Sequence, residues 1–146
     1  MLDLSRSSIA IPIHLRDVRY NADHFPGAPN LLGVEGGANC QQYVYAVLRH
    51  HGFVLPDLRS KELWLDSEYT AVADRLAPFD LVLVHDNADS WGAHVGLCVG
   101  ADRVLHLSKT IGVPAIETLA ELQQRDAYRH LIGFKRPLRR VAAEAS

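Results

Sequence analysis

The apolar positions of this chain keep two periods, and the change between them divides it. Behind Asn39 and Cys40, the residues Val44, Val47, Leu48 and His51 recur at helical spacing. Asn39 is a good N-cap and Gly52 a good stop, so a helix is expected over about 40–51. The stretch before it, "YNADHFPGAPNLLGVEGGA" (20–38), is rich in Gly, Pro, Asn and Asp and reads as loop. Residues 54–78 are mixed, with a short helix expected near 67–75. From there the period shortens. "DLVLVH" (80–85), "WGAHVGLCVG" (91–100) and "RVLHLS" (103–108) read as strands, joined by "DNADS" and by a tight Gly100-Ala101-Asp102 connection. "IETLAELQQRDAY" (116–128) reads as a short helix and "HLIGFKRP" (130–137) as a closing strand. One helix followed by an antiparallel meander makes an α+β domain.

Composition adds limits. A chain of 146 residues suits one domain with its own core. A formal net charge of −2 gives no reason to expect nucleic acid or an anionic membrane as partner. The local exception, "KRPLRR" (135–140), is expected as the start of a solvated basic tail over 138–146. No apolar stretch is long enough to span a membrane and no secretory leader opens the chain, so a cytoplasmic location, or delivery by a phage or specialised secretion route, is the expectation. Two cysteines, Cys40 and Cys98, allow at most one disulfide. Cys98 alternates with apolar residues and reads as an inert buried thiol.

The chemistry gathers around Cys40. Unpaired N–H groups and the helix dipole at a helix start favour a thiolate, and the same N–H groups can hold an oxyanion. A base is then needed. Among eight histidines, His94 stands out because it opens an apolar strand and follows the small residues Gly92 and Ala93 and the ring of Trp91. His106 lies in the next strand. If Gly100-Ala101-Asp102 forms a three-residue loop, residue 96 pairs with 106, and His94 and His106 share one face on a diagonal. A two-residue turn would place them on opposite faces. In the first register His94 is the general base and His106 fixes its tautomer.

The order loop-Cys-helix, "FDLVLVH", "AHVGLCVGADRVLHLS" and "GVPAIETLAELQQRDAYRHLIGFKRP" resembles the NlpC-type papain-like cysteine peptidases, over about residues 20–137. Those cell-wall hydrolases carry Cys at a helix start, a "GDLVFF"-like strand and "HVGIYLGDGKFIHAS". The resemblance implies a papain-like fold, with the Cys-bearing helix against an antiparallel sheet. It implies Cys40 as nucleophile, His94 as base and His106 as third polar residue. It also implies cleavage of peptidoglycan stem peptides beside D-glutamate and a diamino acid through a thioester, with no cofactor. The family commonly has Asp-Cys-Ser-Gly where this chain has Asn39-Cys40-Gln41-Gln42, so the charge that holds a substrate amine is missing unless Glu35 or Asp23 supplies it. Tyr20, Asn39, Gln41, Glu35 and Trp91 are the candidate substrate contacts, with the Cys40 and Gln41 amides at the oxyanion.

"NCQQYVYAVLRHHG" is also similar to the "NCEHFV" stretch of lecithin:retinol acyltransferase-like proteins, but there the histidines precede the cysteine. An acyltransferase or amidase of the same fold acting outside the cell wall, and a catalytically silent binding module, are the rival readings. No HExxH or CxxC is present, and His85, Asp86 and Asp89 are accounted for by a turn, so no metal is expected.

Overall fold

The computed structural model describes residues 2–29 and 33–141; residues 30–32 of the expected loop and 142–146 of the expected tail lie outside the described residues. Helix α1 spans Cys40–His50. The side chain of Asn39 accepts the Gln42 N–H at 2.9 Å and caps it, a contact worth about 1 kcal/mol. Tyr43, Val44, Val47 and Leu48 of α1 are fully buried, each contributing about 1.5–3 kcal/mol by leaving water. Tyr43 keeps its hydroxyl satisfied by donating to the Leu15 carbonyl at 2.6 Å.

Six antiparallel strands make one sheet: β1 Thr70–Ala73, β2 Leu81–His85, β3 His94–Cys98, β4 Arg103–Leu107, β5 Pro114–Thr118 and β6 His130–Pro137. Their order is β1-β6-β2-β3-β4-β5, so β2 to β5 form a meander and β6 returns between β1 and β2. One face, carrying Leu81, Leu83, Val95, Leu97 and Leu105, packs with α1 into the main core. The other carries Val82, Val84 and Val104 against Leu122, Tyr128 and Phe134. Among the described residues no helix is long and apolar enough to cross a membrane.

The α+β class holds, with three corrections to the elements. The helix expected near 67–75 lies earlier, as α2 over Ser60–Leu65, and Thr70–Ala73 is strand β1. Asp66 stops the helix, since its carboxylate accepts the N–H groups of Tyr69 and Thr70 and the Thr70 hydroxyl. The helix expected over 116–128 is cut down to α3, Leu119–Gln123, followed by a 3-10 turn at Asp126–Tyr128. Thr118 is its N-cap, in a reciprocal box with Glu121, so Ile116 and Glu117 remain in β5. Of the basic stretch, residues 138–141 are exposed as expected, but Lys135 and Arg136 are tied into the fold. Lys135 is only 1% exposed and donates to the carbonyls of Trp64 and Asp66, while Arg136 pairs with Asp80 at 2.9 Å. Residues 138–141 are held by backbone bonds such as Val54 N–H to Arg139 O, and Ile11, Leu15 and Val18 bring the N-terminal segment into the core.

The β3–β4 hairpin sets the register that matters. Val99 N–H donates to Arg103 O, so Gly100-Ala101-Asp102 is a three-residue loop. Leu97 pairs with Leu105 and Cys98 with Val104. The ladder stops there, short of His94, and the strands open toward α1.

Gly96 keeps that hairpin tight. A Cβ added there would stand 2.4 Å from Val104 Cγ1 and 3.3 Å from the Leu105 carbonyl. Gly96→Ala therefore loses about 1–3 kcal/mol of stability by overpacking. Chemical denaturation measures the loss; an unchanged midpoint would contradict it.

Candidate functional site

Cys40 is the first residue of α1 and keeps part of its surface open to a pocket of about 320 Å³. Tyr20, Asn39, Arg59, Ser60 and the Trp91-Gly92-Ala93 run that leads into His94 line the pocket with it. The backbone N–H groups of Val95, Gln41 and Cys40 itself lie toward the Cys40 sulfur and favour its thiolate. The Val95 N–H is free to reach it because the β3–β4 ladder ends at Leu97. Among the described residues Cys40 and His94 are not hydrogen-bonded to one another; Val95, next to His94, is the residue of that strand whose N–H lies toward the sulfur. Catalytic contacts of this kind often tighten only with substrate in place. Cys40 and Cys98 are free thiols, and Cys98 is fully buried with its sulfur against the Ala101 carbonyl.

His94 and His106 share one face of the hairpin, as the three-residue loop requires. His94 Nε2 and His106 Nδ1 are 3.0 Å apart, with the rings nearly perpendicular. Tyr128 stacks flat on His94 at 4.2 Å between centroids. Beyond His106 the contacts continue: its Nε2 lies 2.7 Å from Glu117 Oε1, and Arg125 grips both Glu117 oxygens at 3.0 Å. Glu117, Arg125 and Tyr128 are absent from the sequence-based candidates, because all three fall in the stretch read as a helix. The available signal was the Thr118/Glu121 capping pair, which marks Glu117 as the end of a strand.

The electrostatics differ from the expectation of a thiolate at a helix start. Burial pushes the Cys40 thiol above its ordinary value, although the three N–H groups and the Arg59 charge pull the other way. Burial holds His94 well below 6.5, and His106 adds to this whenever it is protonated. The resting pair is therefore a neutral thiol and a neutral imidazole. Glu117 is held down to about 2, first by its hydrogen bond to His106 and also by Arg125.

The remaining candidates divide. Tyr20 and Trp91 line the pocket, Trp91 as an exposed rim residue. Asn39 and Gln41 also line it, but their side chains have structural duties. Asn39 caps α1, and Gln41 donates to the Leu58 carbonyl at 3.1 Å. Glu35 is not brought to Cys40; it lines a separate cleft with His14, Leu15 and Ala46. Asp23 is exposed and does not line the pocket. No carboxylate among the described residues lines the pocket, whereas Arg59 does. The guanidinium of Arg59 lies 4.3 Å from the Phe25 ring, and its Nε is sealed from solvent with no partner among the described residues. No group of three or more His, Cys, Asp or Glu among the described residues is arranged to hold a metal ion.

No family model matches the chain, and no curated protein matches it. Its fold is similar to the crystal structure of an NlpC/P60 family protein from Bacillus cereus ATCC 10987, with a TM-score of 0.51 and 17% identity. The match covers 68% of this chain and 31% of that one, so this chain spans about a third of that protein's length. At that identity the likeness is one of fold: a helix laid on an antiparallel sheet, as the sequence led one to expect.

Proposed function

We propose that the protein is a cysteine hydrolase that cleaves an amide bond through a thioester, using Cys40, His94 and His106. The observation that carries this reading is that Cys40, at the head of α1, opens on a pocket lined by the Trp91-Gly92-Ala93 run that leads into His94, whose Nε2 lies 3.0 Å from His106 Nδ1. With thiol and imidazole both neutral at rest, the thiol proton leaves for His94 as the sulfur bonds to the carbonyl carbon. The oxyanion takes the backbone N–H groups of Cys40 and Gln41. Collapse breaks the C–N bond and His94 returns its proton to the leaving amine; water then repeats the cycle and frees the acid.

Peptidoglycan stem peptides are the proposed substrate class, and Arg59 gives a reason within the pocket. A γ-linked D-glutamate leaves its α-carboxylate free beside the scissile amide. A guanidinium lining a pocket with no acid among its described lining residues suits that carboxylate, whereas a free amine finds no countercharge there.

Purified protein with a γ-D-glutamyl-diamino acid peptide, and with the same peptide carrying an α-carboxamide, tests both points by product mass. The acid is expected to be cleaved faster. Arg59→Gln lowers kcat/KM for the acid by about 10- to 100-fold, the range of a charge-assisted hydrogen bond, and removes the preference. A variant that keeps the full preference excludes Arg59 from the contact. Failure of the wild type to cleave either peptide overturns the stem-peptide reading, and faster transfer to an added amine than to water favours the acyltransferase.

A further inference from the structure

We propose that Glu117 is a positioning residue that sets the tautomers of two histidines in series, so that the Nδ1 of His94 is left bare. The proposal rests on the reading of His94 as the base for Cys40. Its argument is a count of hydrogens along a chain of contacts. Glu117 occupies β5 two residues from Ala115, the partner of His106, and so reaches His106 on the cross-strand diagonal. An ionised carboxylate only accepts. Arg125 donates to both of its oxygens at 3.0 Å, which keeps it ionised and leaves it no proton to give.

The nitrogen of His106 that faces it, Nε2 at 2.7 Å, must therefore carry a hydrogen. In its neutral form, the one the proposal takes, His106 has one N–H, so its Nδ1 is an acceptor. His94 Nε2, 3.0 Å away, is then the donor to it. That assignment uses the only N–H of a neutral His94 and leaves its Nδ1 with a lone pair. Nδ1 has no hydrogen-bond partner among the described residues and is not a sealed orphan. One carboxylate thus decides, two rings away, which nitrogen is ready for the thiol proton.

The surrounding groups favour the same state. Tyr128 covers one face of His94 and meets His106 edge-on, which restricts both rings to this orientation. Arg125 faces Glu117 from beyond α3, and the more distant Arg6 also feels its charge. When His94 takes the thiol proton, its new positive charge can be shared through His106 toward Glu117, the one carboxylate on that path.

The test needs no substrate. In protein labelled with ¹⁵N-histidine, the ring nitrogen shifts at neutral pH are expected to show protonated Nε2 and bare Nδ1 for both residues. A protonated Nδ1 on His94 overturns the proposal in the wild type alone. In Glu117→Gln the single tautomer is expected to give way to a mixture. Alkylation of Cys40 by iodoacetamide should slow by at least about tenfold, and its pH profile should move to higher pH, because the base has lost its fixed orientation and its countercharge. Arg125→Met, which keeps the carboxylate, shifts both readouts less, in the same direction. A Glu117→Gln protein that melts normally, with unchanged tautomers and pH profile, reduces Glu117 to a structural ion pair. Expected tautomers in a protein that cleaves no peptide would leave the relay standing and remove only the hydrolase reading.

Discussion

Cys40→Ala is expected to lose amide hydrolysis by at least about 10⁴-fold, because it removes the thiol on which the proposed acyl-enzyme forms. The fold should survive. The side chain heads a helix that Asn39 continues to cap, and what is lost is a set of weak N–H contacts to sulfur, about 1 kcal/mol in all. Two measurements separate the chemical effect from damage. Product mass against time gives the rate, and thermal melting gives the fold. Thiol labelling of the native protein offers a third, since Cys98 is fully buried and Cys40 is not. Native wild type should take up one equivalent rapidly and Cys40→Ala almost none. A variant that hydrolyses at the wild-type rate would end the proposed mechanism.

Removal of the base comes second in size. His94→Gln is expected to lower kcat by about 10²- to 10⁴-fold, the usual contribution of a positioned proton carrier. The pH dependence carries more information than the rate. The active form of His94 is neutral, and burial above all places its protonation well below 6.5. Activity should therefore persist as the pH falls past 6.5 and disappear only when His94 finally protonates. A thiolate–imidazolium pair would differ: its acid limb would report the thiol. Profiles of kcat/KM for wild type and His94→Gln distinguish the two, because the variant should lose the low-pH limb altogether. An unchanged limb in His94→Gln would assign it to another group.

How far the sequence reaches depends on the range of the contact. The N-cap at Asn39, the helix behind Cys40 and the three-residue loop at Gly100 are all local. Each could be read from a few neighbouring residues, and the His94–His106 diagonal followed from the loop alone. Glu117 could not be reached in this way. Its role depends on β5 pairing with β4 and on Arg125 being carried back past α3, neither of which has a local signature. The apolar spacing around Leu119 and Leu122 suited a longer helix, and the Thr118 cap prevailed over it. Lys135 shows the opposite failure. A lysine in a basic run reads as solvated, yet β6 lies between β1 and β2, so its ammonium must be satisfied by two carbonyls from the end of α2. The neutral resting pair at Cys40 is also a tertiary effect: the helix start offers donors, but strands from the other half of the chain remove the water.

The contacts from Cys40 to Arg125 draw on a loop, a helix, three strands and a closing turn. During synthesis the thiol emerges long before the residues that would orient its base. Until β5 has paired and Arg125 has docked, His94 is free to hold its proton on either nitrogen. Under the proposed mechanism, the base is therefore oriented for the thiol proton only once the last third of the polypeptide has folded, not when the cysteine itself appears.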